Sequence, residues 1–251
     1  MNKNNNDNDE LEFLHFDSIN SIYNTDCYDT TFYLNNSLRS VNKIYLKSVE
    51  MGIGFNNIRF NNGSSVLTLI INDISYTKRI NDYTSTSIVD LCSALTTAFN
   101  TLPIIPTFTS STVTQKITIT LASSTSIIIV PGVLSQYILG FTSNQTITGI
   151  SIISTNNFNL AIDNFISMYI VNIPYKSTSA LTQLISFKIP FNAVGNTIYY
   201  MADNMSFSQY ITVTDPNYVL NSLRIQIYDR FGKIIKSNGL DYTFSFAIER
   251  F

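Results

Sequence analysis

VLNSLRIQIYDRFGKIIKSNGLDYTFSFAI, positions 219–248, carries the clearest structural grammar in the chain. Leu220–Asp229 is a strand-length run of Leu and Ile that stops at Asp229-Arg230. Phe231-Gly232-Lys233 turns the chain, and a second loop closes through Ser237-Asn238-Gly239-Leu240-Asp241. Tyr242, Phe244, Phe246 and Ile248 then alternate with Thr243, Ser245 and Ala247. Period-two alternation puts the aromatic rings on one face of a strand, so the stretch reads as a hairpin with a long, turn-rich connection. Asp229, Gly232, Asn238, Gly239 and Asp241 are the structural turn positions, the two glycines serving backbone at positive φ.

Working towards the N-terminus, the same strand grammar recurs. In Val41–Met51 the Ile44/Leu46 face reads as buried and the Lys43/Lys47 face as solvated. Asn61-Asn62-Gly63 precedes Ser65–Ile71, and Asn72-Asp73 turns that run into Ile74–Ile80, a hairpin. Further strands are expected at Thr114–Leu121, Ser126–Val130, Thr146–Ser154, Phe165–Ile173, Leu184–Pro190, Thr197–Met201 and Tyr210–Thr214. A short helical turn is expected at Val133–Leu139. One segment has another period. Ile88, Leu91, Cys92, Leu95 and Phe99 form a helical stripe within Ser85–Asn100, with Ser85 or Ser87 as N-cap and Pro103 and Pro106 beyond its end. About a dozen short strands with one helix predict an all-β sandwich or barrel. No repeat and no Pro- or Gly-rich linker divides the chain, so one domain over 27–251 follows a flexible polar arm at 1–26.

Composition supports this class. The 35 Ile and 27 Thr favour strands, and 29 Asn with 29 Ser favour turns. Only 13% of residues are charged and the net charge is −2, which argues against nucleic acid as a partner. The first ten residues, MNKNNNDNDE, lack the apolar core of a signal peptide, and Ser126–Val130 is far too short to span a bilayer. A soluble protein of a reducing compartment is expected.

Catalytic chemistry finds little material. One His (His15) and two Cys (Cys27, Cys92) cannot supply a four-ligand zinc site, and no CxxC suggests a metal or redox pair. Cys92 reads as a buried hydrophobe. Glu10, Glu12, Glu50 and Glu249 are all the glutamates and form no evident pair. Asp73, Asp203, Asp215, Asp229 and Asp241 fall at strand ends, where Asp caps its own backbone. Asp203-Asn204 and Asp215-Pro216-Asn217 offer oxygen atoms to calcium without a dense acidic loop. GxSxG and GxxxxGK[ST] are absent. No enzyme, cofactor or metal is expected. Tyr199-Tyr200 and the Tyr242/Phe244/Phe246 row suit either a sandwich core or a protein interface.

The 219–248 stretch resembles the terminal strand pair of single jelly-roll minor capsid (penton) proteins of large eukaryotic DNA viruses, virophages and polinton-like elements. Those often carry D-R-x-G…N-G-x-D-[WY]-[ST]-F near the C-terminus, matched here by Asp229, Arg230, Gly232, Asn238, Gly239, Asp241, Tyr242, Thr243 and Phe244. Segments 31–59, 83–100, 134–141, 159–173, 186–193 and 198–211 are similar to the same group. The resemblance implies a single jelly-roll β-sandwich of two four-stranded antiparallel sheets plus extra short strands, with one inserted helix near 85–100. A double jelly-roll subunit needs two such sandwiches, and 251 residues hold one.

The resemblance further implies a structural virion protein made in the host cytoplasm. It would close icosahedral vertices as a homopentamer, with the major capsid protein or other minor capsid subunits as neighbours. The apolar patch Leu11, Phe13, Leu14 and Phe16 in the N-terminal arm suggests a contact with an inner layer. The alternative is a viral attachment or fibre-head β-sandwich binding glycan or receptor, which would more often follow a long repetitive shaft than a short arm.

Overall fold

The computed structural model describes residues 11–20, 22–23, 28–53, 56–142, 145–161, 163–175, 186–190, 197–202 and 209–251. Its strands are, in chain order, β1 (Glu12–Asp17), β2 (Ile22–Tyr23), β3 (Asp29–Arg39), β4 (Val41–Ile53), β5 (Val66–Ile71), β6 (Ile74–Arg79), β7 (Thr107–Ser111) and β8 (Lys116–Ile129). They continue as β9 (Gln145–Ile153), β10 (Phe165–Ile170), β11 (Phe187–Pro190), β12 (Thr197–Ala202), β13 (Tyr210–Thr212), β14 (Val219–Tyr228) and β15 (Tyr242–Arg250). Helix α1 spans Ile88–Ala98. The chain divides into two compact units, Met1–Phe55 with Asp163–Phe251, and Asn56–Ile162. Sequence reading expected a single domain with an inserted helix, because neither junction carries a linker composition.

In the first unit the strand pairs nest. β1 pairs β15, β3 pairs β14, β4 pairs β12 and β13, and β10 pairs β11, all antiparallel. The long nested ribbon then rolls up, because β15 also pairs β4 and β14 also pairs β10. The result is one sheet ordered β1-β15-β4-β12, with β13 beside β12 on β4, and a second ordered β11-β10-β14-β3-β2. That is a jelly roll: four strand positions per sheet, plus the short β2, with β12 and β13 sharing one position.

The two sheets meet through aromatic rings. Phe16 on β1 stands 5.1 Å from Phe32 on β3, and Phe246 on β15 stands 6.0 Å from Phe187 on β11. Tyr242, Phe244, Phe246 and Ile248 all face this core. β4 departs from simple alternation: Ile44 and Leu46 are buried, but so are Val41, Val49 and Met51. Two irregularities in the β15·β4 register, at Asn42 and at Lys47, reset the phase and return those side chains to the core. Residues 12–17, expected within a flexible arm, form an edge strand whose Phe16 is buried. The apolar patch is thus divided: Phe16 belongs to the sandwich core and Leu14 packs against it, while Phe13 stays 57% exposed. Residues 1–10 lie outside the described residues.

The second unit holds a five-stranded antiparallel sheet. β6 pairs β5, β5 pairs β8 at Ile127–Ile129, β7 pairs β8 at Lys116–Thr120, and β9 runs along β8. Asn72 and Asp73 turn β5 into β6 with φ of 49° and 63°, the two-residue geometry that matches strand twist. α1 buries Ile88, Leu91, Cys92 and Leu95, and Ser87 Oγ accepts the Asp90 N–H at 3.4 Å as N-cap. Val133–Ile138 forms a wide helical turn, closed by Leu139 N–H donating to the Leu134 carbonyl at 2.9 Å. The chain then reverses at Gly140, φ 81°, against Asn156.

Candidate functional site

The connection between β14 and β15 is built from the five turn positions. Asp229 is buried, and its Oδ1 accepts the N–H groups of Phe231 and Lys233, both at 2.9 Å. Its own backbone pairs with Lys233 and Gly232, the latter at φ 76°. Ile235 drops into the core and exchanges backbone bonds with Tyr28 and Ile227. Asn238 and Gly239 have φ of 52° and 77°, and Leu240 N–H closes their turn on the Ser237 carbonyl at 3.2 Å. Asp241 ends the loop: its carbonyl accepts the Gly52 N–H, and its Oδ1 accepts the Ser18 hydroxyl at 3.1 Å. Asp229 and Gly232 belong to one turn, Asn238, Gly239 and Asp241 to the next. Asp241 ties the second turn to Gly52 and Ser18.

Tyr28 donates to the Gly52 carbonyl at 2.9 Å and its ring lies 5.0 Å from Tyr242, whose hydroxyl bonds Thr30 Oγ1. Burial, followed by the neighbouring Tyr242, pushes the Tyr28 hydroxyl far above its ordinary range, so it stays a neutral donor. The Tyr28 hydroxyl thus serves as a fixed donor to the Gly52 carbonyl.

Each outward sheet face carries a polar cluster drawn from distant strands. On one, Glu249 accepts from Asn42 Nδ2 (2.9 Å), Lys43 Nζ (2.6 Å) and the Tyr45 hydroxyl (2.6 Å), with Tyr210 5.3 Å from Tyr45. Burial opposes charge on Glu249, but the donors led by Lys43 outweigh it and hold the carboxyl below its usual range. On the other, Arg224 grips Asp29 with Nε at 2.9 Å and Nη2 at 2.8 Å, and Gln226 adds a third donor at 2.8 Å. The Arg224 bonds chiefly hold Asp29 below its ordinary range. Partners some 200 positions apart in sequence leave no local signal; only the strand pairing brings them together.

The residues considered for chemistry stay apart. His15 Nδ1 lies 2.8 Å from Ser245 Oγ, but they are exposed cross-strand neighbours on the outside of a sheet. Cys92 is buried, and its thiol is pushed up to about 11 by that burial. Asp215 caps its own turn, accepting the Asn217 N–H at 2.9 Å. Asp203-Asn204, Cys27 and the side chains of Tyr199-Tyr200 lie outside the described residues. Among the described residues no group of three His, Cys, Asp or Glu could hold a metal ion, and no helix is long and apolar enough to cross a membrane. The described surface presents sheet faces and strand edges.

No family model matches the sequence, and no curated protein matches it. Among solved structures, the crystal structure of the mavirus penton protein matches with a TM-score of 0.56 at 11% identity, over 96% of this chain and all of that one. A chain of the Sputnik virophage structure determined by cryo-EM matches over 96% of this chain and 98% of that one, at 11% identity and a TM-score of 0.36. The chain thus shares its fold with the mavirus penton protein, and the matched length must include part of both units.

Proposed function

We propose that the protein is a structural virion component, a minor capsid subunit of the penton kind that closes icosahedral vertices as a ring of five. The observation that carries this reading is the likeness to the mavirus penton protein along its whole length. The molecule's own physics supports it. A sandwich whose β14–β15 connection is held by turns at Asp229 and Asn238-Gly239, and whose outer faces are held by pinned ion pairs, is a block suited to repeated contacts. Cyclic symmetry needs one such heterologous contact, used five times. The major capsid protein or other minor capsid subunits would surround the ring in the virion. The N-terminal residues before β1 would reach towards an inner layer.

Light scattering behind a sizing column tests the reading. A mass of about 140 kDa, five chains of 28.3 kDa, is expected for a closed ring. A stable trimer of about 85 kDa, built from the same 28.3 kDa chain, would point to a spike or fibre head and overturn it.

A further inference from the structure

Among the described residues, the sheet of the unit Asn56–Ile162 ends in two open edges at opposite sides. β5 and β7 lie along one edge of β8 and β9 along the other, so the order across the upper part of the sheet is β6-β5-β8-β9. The β7 edge is closed by α1, whose Thr96 Oγ1 accepts the Phe108 N–H at 3.0 Å. In the jelly-roll unit the β11 edge is closed too, because the Gln209 amide bonds both the N–H and the carbonyl of Lys188, at 2.8 and 2.7 Å. No strand among the described residues pairs the outer edge of β6 or of β9.

Open strand edges are commonly blunted by charge, proline or brevity. β9, QTITGISII, has nine residues with neither charge nor proline. β6 carries Lys78 and Arg79, but both turn back into their own unit. Lys78 Nζ bonds Thr101 Oγ1 at 3.1 Å, and Arg79 lies 4.2 Å over the Phe60 ring and reaches Asp82 at 3.4 Å. The backbone groups alternate as an edge contact requires. The two-residue turn makes Ile71 and Ile74 a hydrogen-bonded pair, so Ser75, Thr77 and Arg79 aim their N–H groups outward. Ser154 N–H donates to the Ile117 carbonyl at 2.8 Å, so Ser151 and Ile153 do the same on β9.

We propose that β9 of one copy pairs with β6 of the next, joining these sheets around the ring. The inference rests on the ring reading given above. Strand parity favours it: every step from β6 to β9 is antiparallel, and four strands is an even number. A rotation axis running along the strands therefore brings β9 against the next β6 in the antiparallel sense. Charge favours a second copy as the occupant. The unit carries seven charged side chains, four basic and three acidic, so like-charge repulsion between identical units is weak.

Two variants and a cross-link test it. Ile153→Lys alters a side chain that is 58% exposed, and Ser151→Pro removes an outward N–H while leaving the bonds to β8. Each should weaken ring assembly at least tenfold, with circular dichroism unchanged. Ser75→Cys with Ser151→Cys, on a Cys27→Ser background, should give a ladder of up to five chains with a short bis-maleimide, while buried Cys92 stays silent. A fivefold ring that keeps its mass in both variants and yields no ladder would overturn the strand joint and leave the ring intact. A wild-type chain that stays monomeric at every concentration would also overturn it, since this joint needs no other protein.

Discussion

Gly140 and Gly239 both sit at positive φ, 81° and 77°, yet a methyl group should have unequal effects at the two positions. An alanine in the left-handed region costs about 1–2 kcal/mol relative to its relaxed conformation. At Gly239 a Cβ meets nothing within 4 Å, so that cost stands alone. At Gly140 the Cβ would lie 2.3 Å from the Asn156 carbonyl oxygen and 2.8 Å from that of Asn157, both backbone atoms. Relief requires the 156–159 segment to move. Asn156 N–H to the Gly140 carbonyl (2.8 Å) and Asn159 N–H to the Ile138 carbonyl (2.8 Å) hold that segment. Losing both adds about 1 kcal/mol each, for a total of about 3–4 kcal/mol. Thermal unfolding of the two alanine variants beside the wild type measures the difference, with separate transitions allowed for the two units. Gly140→Ala should lower its transition by more than about 10 °C and Gly239→Ala by about half of that or less. Equal losses, or a larger one at Gly239, would refute the steric argument.

Other expectations follow from the same contacts. Phe246→Ala empties a fully buried position between Phe16 and Phe187, and should cost about 3–5 kcal/mol in denaturant unfolding. Asp29 and Glu249 have carboxyls held below their unfolded range, so their stabilisation is present above the unfolded value and is lost as pH falls through the folded one. Melting temperature should therefore drop below about pH 4, and in Asp29→Asn the acid-dependent part of that drop should shrink. Cys92 should resist alkylation in the folded protein at neutral pH and react on unfolding, as mass spectrometry of the modified peptide would record.

Much of this structure was legible in the sequence where a single element carries the signal. The helical stripe from Ile88 to Phe99, its Ser87 cap and the Asn72-Asp73 hairpin need only neighbours in sequence. β1 was obscured by the polar residues around Phe16, whose partners Phe32 and Phe246 come from distant strands. β3 was obscured by Asn35-Asn36-Ser37, which are exposed in mid-strand and fall in the irregularity where the β14·β3 register jumps from Tyr33 to Leu38. The irregularities at Asn42 and Lys47 cannot be seen without β15, since a bulge is a relation between two strands. The Glu249 and Asp29 clusters are hidden for the same reason: their donors are supplied by other strands of the rolled-up ribbon. The separate unit at Asn56–Ile162 escaped notice because its Ile, Thr and Asn content matches that of the strands on either side.

Rotational symmetry of the purified assembly bears most closely on the proposed role. Two-dimensional class averages of negatively stained particles should show closed rings with fivefold symmetry. Rings or clusters of threefold or twofold symmetry would contradict the vertex assignment, even with the jelly-roll fold intact.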